Sequence, residues 1–262
     1  MRWVRWLRGI LILIGISGAV NARAALCYQC WLDHGFDFLK RRQVFEFGEV
    51  KIIEKGLGGT VHRGSSGRTR SKLEAINDWI SANTDTQPVI VPCDLETLDT
   101  ETANNLAHSI GEAFGKLDGI VHHASRLGPR APLAHYAFDE WQRVMQTNVN
   151  ATFLLNHTLF NLLDTSARAS VVHTSSSVGR VGRAYWGAYA ASKFALEGLS
   201  QVLADETETA GRIKVFSVNP GGTRTNMRKE AYPLEDPDTL PTPEAHMELF
   251  LLLQQKELRF LN

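Results

Sequence analysis

Ser170-Val-Val-His-Thr174 and Ile213-Lys-Val-Phe-Ser-Val218 are short, mostly apolar runs on either side of a helical pattern at 186–209. Runs of this kind are typical of strands that are buried on both faces of a sheet. The alternation continues along the chain, with further strands predicted at 88–93 and 118–122 and helices at 71–81, 102–116, 138–163 and 243–255. Repeated strand–helix units of this length predict an α/β fold, a doubly wound parallel sheet with helices on both faces.

The composition is that of an ordinary globular protein and narrows the classes of function. Of 262 residues, 44% are apolar and 21% are charged, which is enough apolar material for a substantial core. Basic and acidic residues balance at 28 each, so the sequence indicates no basic surface for nucleic acid. Three cysteines, Cys27, Cys30 and Cys93, are too few for a disulfide scaffold.

Residues 1–25 have the layout of a secretory signal peptide. A basic start, Met1-Arg-Trp-Val-Arg-Trp-Leu-Arg8, precedes an apolar stretch at 9–20 and the small residues of Ala22-Arg-Ala24. One interpretation is export, or anchoring in a membrane, although no run reaches the roughly 18 apolar residues of a membrane span. The other is a segment that is not part of the working protein. The motifs described below favour the second interpretation and a cytoplasmic protein.

The motif Tyr189-Ala-Ala-Ser-Lys193 places a phenol and an ammonium group on one helix face, because positions i and i+4 are neighbours. A free tyrosine has a pKa of about 10, and lowering it to about 7 requires roughly 4 kcal/mol. A cation about 4 Å away at an effective dielectric constant of about 20 supplies energy of that order. The spacing therefore indicates a tyrosine adapted to proton transfer. Alone it is a weak signal, since a half-buried helix with a surface lysine gives the same pattern.

Three further segments strengthen the interpretation. Ser176 lies thirteen residues before Tyr189, where a predicted strand ends. Asn219-Pro-Gly-Gly-Thr-Arg-Thr225 follows another strand, and α/β sheets bind ligands at the carboxyl ends of their strands. Upstream, Thr147-Asn-Val-Asn150 interrupts a predicted helix with residues that weaken helices. Each segment alone could be an ordinary loop or helix cap. Loops and caps do not explain why all of them occur in this order and at this spacing.

Asn148, Ser176, Tyr189 and Lys193 match the catalytic tetrad of the short-chain dehydrogenase/reductase family. The run from Ser175 to Lys193, with the Asn219 to Thr225 segment, resembles the YciK-type branch of that family, and the resemblance covers about 67–250. It implies a Rossmann-like fold and an enzyme that moves hydride between NAD(P)H and a carbonyl or alcohol substrate, as a homodimer or homotetramer.

The resemblance also implies a role for each tetrad residue. Tyr189 is the general acid/base, and Lys193 lowers its pKa and holds the nicotinamide ribose. Ser176 orients the substrate carbonyl, while Asn148 kinks its helix and holds a water that relays protons. No metal site is implied. The implied cofactor contacts are Arg68, Asp94, Leu95, Ala124, Tyr189, Lys193, Pro220, Gly221, Thr223 and Thr225.

Arg68 bears on the identity of the cofactor. It matches the basic residue after the second strand of the family, which pairs with the 2′-phosphate of NADP. The alternative is a solvated loop charge. The sequence therefore predicts NADP, with NAD as the alternative.

The sequence departs from the family pattern in three places. The glycine loop that cradles pyrophosphate at a helix N-terminus is missing, and the nearest cluster, Gly56-Leu-Gly-Gly-Thr60, has the wrong spacing. The Asn-Ala-Gly motif reads His123-Ala-Ser125, and no closing strand follows residue 255. We therefore predict a Rossmann-like sheet that is incomplete at its N-terminal βαβ unit and at its last strand. An atypical segment at 1–66 precedes a partial domain at 67–262.

Several interpretations of residues 1–66 remain open. Val44-Phe-Glu-Phe47 and Val50-Lys-Ile-Ile53 fit strands, while the loss of pattern before Gly67 is typical of a frame error or a wrong start. Cys27-Tyr-Gln-Cys30 fits a redox pair, but no thioredoxin-like strand precedes it. The chain is predicted to be an oxidoreductase, impaired in cofactor binding by the missing loop. The alternative is a catalytically silent binding module.

Overall fold

The structure is a computed structural model, and most of its described part lies downstream of residue 60. The described residues are 10–11, 14–15, 45–47, 61–67, 78, 82, 86–91, 93–246, 249–250 and 253.

Eight parallel strands form the described sheet structure, and the parallel α/β architecture is the one that the sequence predicts. In one group β4 pairs with β1, β2 and β5, and in the other the order is β3-β6-β7-β8. Strand β3 also contacts β1, β2 and β4, so the two groups adjoin. The strands are β1 Ile10–Leu11, β2 Ile14–Gly15, β3 Phe45–Phe47, β4 Val61–Gly67, β5 Thr86–Ile90, β6 Gly119–His122, β7 Ala169–Thr174 and β8 Ile213–Val218.

Strands β1, β2 and β3 lie where the two groups of strands adjoin. Strands β1 and β2 pair with β4 in one register, in which Ile10 lies opposite His62 and Gly15 opposite Gly67, and β3 pairs with β6. Among the described residues no hydrogen-bonded ladder joins β4 to β6. This arrangement agrees with a Rossmann-like sheet that is incomplete at its N-terminal βαβ unit. The segments at 50–53 and 56–60, and the end of the chain after residue 253, lie outside the described residues.

Five α-helices in the described part accompany the strands. The helices at 100–114, 138–164 and 187–208 lie close to the predicted bounds, whereas the helix at 226–231 was not predicted. The predicted helix at 138–163 is broken into α2 and α3 by a π-helical turn, Gln146–Asn150. Within 71–81 the structure describes only Asp78, which is helical, and the predicted helix at 243–255 begins as the 3-10 turn Pro243–His246. The helices are α1 Thr100–Phe114, α2 Phe138–Met145, α3 Ala151–Asp164, α4 Gly187–Glu208 and α5 Asn226–Ala231.

Helix α1 shows how local sequence sets the boundaries of an element. The Asp99 carboxylate accepts a hydrogen bond from the Thr102 backbone N–H at 2.8 Å, which caps the first turn. Gly115, with φ of 73°, ends the helix and donates its N–H to the Gly111 carbonyl. The helix buries Ala103, Leu106 and Ile110, which are spaced along one face.

The core lies between the sheet and helices α1 and α3. Strands β6 and β7 are buried along their whole length, whereas β8 is half-buried in its middle, where β7 is its one described neighbour. Burial of both faces explains why β6 and β7 read as continuous apolar runs. The largest contributors to this core include Leu95, Leu106, Ile110, Leu117, Ile120, Leu155, Leu159, Leu163, Val171 and Ile213.

Two buried histidines interrupt the apolar core. His122 of β6 and His173 of β7 are cross-strand neighbours, and their rings stack with centroids 5.1 Å apart. Asn156 bridges them, at 2.7 Å from His122 Nε2 and 2.9 Å from His173 Nε2, and Ser200 is 2.8 Å from His173 Nδ1. Burial lowers the pKa of His122 to about 4 and that of His173 well below its usual value, so both rings are neutral.

None of the described helices is both long and apolar enough to cross a lipid bilayer.

Candidate active site

Helix α4 carries the two residues at the centre of the candidate site. Tyr189 and Lys193 lie on its buried face, with exposed fractions of 9% and 1%. Gly179 allows this helix to approach the loop after β7, because a Cβ atom there would lie 2.8 Å from Lys193 Cβ and 2.9 Å from its backbone carbon. Any side chain at position 179 would therefore displace the helix.

A cleft of about 240 Å³ opens beside this helix at the carboxyl ends of β6, β7 and β8. Because parallel strands end at the same edge of a sheet, the loops after His122, Thr174 and Val218 meet there. The structure brings most of the predicted site residues into this one cleft. They are Ala124, Ser176, Tyr189, Lys193, Pro220, Gly221, Thr223 and Thr225.

The environment of Tyr189 differs from the expected one. Burial raises the pKa of Tyr189 to about 12, and the neighbouring hydroxyls of Ser176 and Ser125 lower it only in part. The expected lowering of this pKa by Lys193 stays a prediction. Its ammonium group lies 5.4 Å from the centre of the tyrosine ring, and desolvation of the phenol outweighs the other influences.

Lys193 is held in place by its own buried contacts. Its Nζ donates a hydrogen bond to the Thr174 carbonyl at 2.7 Å. Burial lowers the pKa of Lys193 to about 7, and the carboxylate of Glu197, one turn along the helix, opposes that shift. Glu197 is itself paired with Arg180 at 3.1 Å. The amine therefore titrates near neutral pH, in the range where a proton-transfer site operates.

Asn148 lies in the π-helical turn, so the predicted break in its helix is confirmed. Its Oδ1 accepts a hydrogen bond from the Arg126 N–H at 2.7 Å, and its Nδ2 donates to the Arg126 carbonyl and to Ser192 Oγ. Both amide protons are therefore engaged in joining the loop after β6 to helix α4. π-Turns of this kind are frequent at functional sites. The water relay stays a prediction.

Two predicted cofactor contacts, Asp94 and Leu95, lie apart from the cleft. Leu95 is 1% exposed and belongs to the hydrophobic core, and the Asp94 carboxylate accepts a hydrogen bond from the Glu96 N–H at 3.0 Å. Neither lines the cleft. Arg68 lies outside the described residues. The adenosine side of the predicted site is therefore not part of the cleft around Tyr189.

Sequence reasoning missed several residues of the cleft. His123 lines it, with Nδ1 3.1 Å from Thr174 Oγ1, and Ser125 faces the Tyr189 phenol. The departure of His123-Ala-Ser125 from the family motif was the available signal for both. Trp186 and Met227 form an apolar wall, which no local pattern in the sequence indicates.

A layered cluster of cations and aromatic rings flanks that wall. The Arg130 guanidinium lies 4.7 Å from the Trp186 ring centre and 5.2 Å from that of Tyr232, the residue after α5. Arg228 of α5 lies 3.9 Å from the Tyr232 ring centre. Arg228 is also paired with Glu235 at 2.5 Å. Such contacts fix the α5 segment against the start of helix α4.

Comparison with known proteins shows the family to which the chain belongs. A family model described as short chain dehydrogenase matches residues 58–236. The oxidoreductase YciK of Escherichia coli K12 is 48% identical over 193 residues, which cover 74% of this chain and 76% of the relative. An NADPH-dependent pterin aldehyde reductase of Arabidopsis thaliana is 28% identical over 184 residues, 67% of this chain and 74% of that protein.

Solved structures show the same fold. A short chain dehydrogenase of Pseudomonas syringae superimposes with a TM-score of 0.77 at 38% identity, covering 99% of this chain and 94% of the other. A short chain dehydrogenase of Escherichia coli CFT073, complexed with NADPH, gives a TM-score of 0.75 at 39% identity and covers 96% and 92%. The chain therefore belongs to the short-chain dehydrogenase family of oxidoreductases.

Proposed function

We propose that this protein transfers hydride between NADPH and a carbonyl or alcohol substrate. One observation carries the proposal: Ser176, Tyr189 and Lys193 line a single cleft at the carboxyl ends of three parallel strands. Tyr189 supplies the proton in the reducing direction. Its O–H bond breaks as a new bond forms between that proton and the substrate oxygen, and a phenolate remains.

The residues present in the cleft fit the nicotinamide end of such a cofactor. The buried hydroxyls of Ser125 and Ser175 make no hydrogen bond of standard geometry in the described part of the chain, which suits a hydroxyl-rich ligand. Gly221, with φ of 78°, has open space around it. Lys193 and Tyr189 would hold the ribose, and Ala124, Pro220, Gly221, Thr223 and Thr225 would surround the nicotinamide. When bound, the cofactor supplies the hydride.

We favour NADP over NAD. Two structural neighbours are described as complexed with NADP or NADPH, and the Arabidopsis relative is named as NADPH-dependent. Arg68 would pair with the 2′-phosphate, and Asp94 and Leu95 would approach the adenine. We also propose that an atypical segment at 1–66 precedes a partial dehydrogenase domain at 67–262, and that the protein is cytoplasmic.

NADPH binding should be about a thousandfold weaker than in a relative with an intact glycine loop. Charge-assisted hydrogen bonds to phosphate contribute roughly 1.5–3 kcal/mol each, so losing two or three costs on the order of 4 kcal/mol or more. Fluorescence titration would compare this chain with a chimera whose residues 1–66 are replaced by the matching segment of Escherichia coli YciK. NADH titration of both proteins is the control for the 2′-phosphate contact. Equal, micromolar NADPH affinities would contradict the proposed impairment.

The exposed side of helices α3 and α4 supports a homodimer or homotetramer. Phe153 on α3 and Phe194 and Val202 on α4 are 54%, 45% and 55% exposed, which is costly for apolar groups in a monomer. We expect light scattering to report a dimer or tetramer. We also expect Phe194→Asp to shift the protein towards monomer, while the same change at exposed Leu234 leaves the assembly unchanged. A monomeric parent chain would contradict the assignment.

A further inference from the structure

Ser125 places a second hydroxyl group beside Tyr189. It is the third residue after β6, whereas Ser176 is the second residue after β7, so the two hydroxyls approach the cleft from neighbouring strands. Both line the cleft, and both hydroxyls lie close enough to the Tyr189 phenol to lower its pKa.

The Ser125 oxygen is buried without a hydrogen bond of standard geometry among the described residues. Burial of an unpaired hydroxyl is unfavourable, and such groups in native proteins commonly serve a ligand or a reaction step. The Ser125 hydroxyl already lies beside the Tyr189 phenol. Negative charge on the phenol oxygen would therefore favour a hydrogen bond donated by Ser125.

The phenol oxygen needs a donor once it has lost its proton. Lys193 Nζ lies 5.4 Å from the centre of the tyrosine ring and is committed to the Thr174 carbonyl at 2.7 Å. Among the described residues, the hydrogen bond of this amine goes to the Thr174 carbonyl and not to the phenol oxygen. The hydroxyls of Ser176 and Ser125 both lie beside Tyr189. One of them can donate a hydrogen bond to the substrate oxygen while the other donates to the phenol oxygen.

We propose that Ser125 is a positioning residue that donates a hydrogen bond to the Tyr189 oxygen as the proton leaves it, while Ser176 holds the substrate oxygen. The proton passes from Tyr189 to the substrate oxygen, and the Ser125 O–H bond stays intact. The assignment rests on the proposed function, because it takes Tyr189 as the proton donor.

The test combines turnover with a measurement that does not need turnover. Protein labelled with ¹³C at the ζ carbon of tyrosine gives one line for each of its five tyrosines, and Tyr189→Phe identifies the Tyr189 line. Ser125→Ala should move that line more than the other four. Thr207→Val, which removes a buried hydroxyl bonded to the Leu203 carbonyl at 2.8 Å elsewhere on α4, should leave it in place.

Turnover with NADPH and 4-nitrobenzaldehyde gives the second readout. Ser125→Ala should lower kcat about tenfold to a hundredfold with an unchanged KM, as expected for one hydrogen bond to a charged oxygen. If Ser125→Ala disturbs folding, Ser125→Gly also removes the hydroxyl and should give the same loss of kcat. A Tyr189 line that moves no more than the others, or an unchanged kcat, overturns the proposal. A moved line in a protein that reduces no aldehyde supports the Ser125 contact and contradicts the proposed function instead.

Discussion

Tyr189→Phe should lower kcat for NADPH-dependent aldehyde reduction by about a thousandfold, a much larger effect than its effect on NADPH binding. General acid catalysis by a positioned side chain contributes roughly 10²–10⁴ in rate, and this phenol is the proton donor of the proposed reaction. The buried ring packs against Trp186, and phenylalanine keeps that contact. Initial rates are best measured in the YciK chimera, where cofactor binding does not limit turnover.

Tyr136→Phe is the matched control for this substitution. Tyr136 is another tyrosine whose buried hydroxyl lacks a standard hydrogen bond in the described part of the chain, but it does not line the cleft. Loss of the Tyr136 hydroxyl should leave kcat within about twofold of the parental value, because removing a hydroxyl outside the site acts mainly on stability. A Tyr189→Phe variant that retains more than a tenth of the parental kcat would contradict the assigned proton donor.

Lys193→Met should stabilise the folded protein while abolishing turnover. Burial lowers the pKa of Lys193 from 10.5 to about 7, so between these values the unfolded chain binds more protons than the folded one. The destabilisation caused by burying the charge is therefore complete below pH 7 and fades as the pH rises towards 10. Allowing for the lost bond to Thr174, the gain below pH 7 should be on the order of 3 kcal/mol.

Thermal melts at pH 6.5 and pH 10 measure this effect. A gain of that size corresponds to roughly 6–10 °C in Tm at pH 6.5, with little difference at pH 10. Lys229→Met, at an exposed lysine on α5, should change Tm by little at either pH. If Lys193→Met has a lower Tm than the parent at pH 6.5, or gains equally at both pH values, burial of the Lys193 charge is not the source of the destabilisation.

Local pattern was sufficient for the downstream half of the fold. Strands β6, β7 and β8 are predictable because both faces are buried or nearly so, which requires apolar residues in sequence. Strand β4 was not predicted, because Val61-His-Arg-Gly-Ser-Ser-Gly67 lacks an apolar pattern and contains residues that are depleted in strands. Its strand conformation depends on pairing with β1, β2 and β5, which the sequence does not display locally.

The sequence was sufficient to predict which residues line the cleft, but not to predict their pKa values. Ser176, Tyr189 and Lys193 line one cleft, because Ser176 lies in the loop after β7 and helix α4, which carries the other two, packs against that loop. The raised pKa of Tyr189 depends on desolvation by distant elements, which no local motif encodes. Likewise, stacking of His122 on His173 follows from the register of β6 against β7.

Transfer of deuterium from NADPH labelled at C4 of the nicotinamide tests the central claim most directly. The chain and the YciK chimera would each be incubated with the labelled cofactor and 4-nitrobenzaldehyde, and the alcohol analysed by mass spectrometry. We predict one deuterium on the carbinol carbon, formed slowly by the unmodified chain, faster by the chimera, and not by the Tyr189→Phe variant of either. Alcohol free of deuterium in both proteins, or equal labelling with and without Tyr189, would contradict a hydride-transferring site in this cleft.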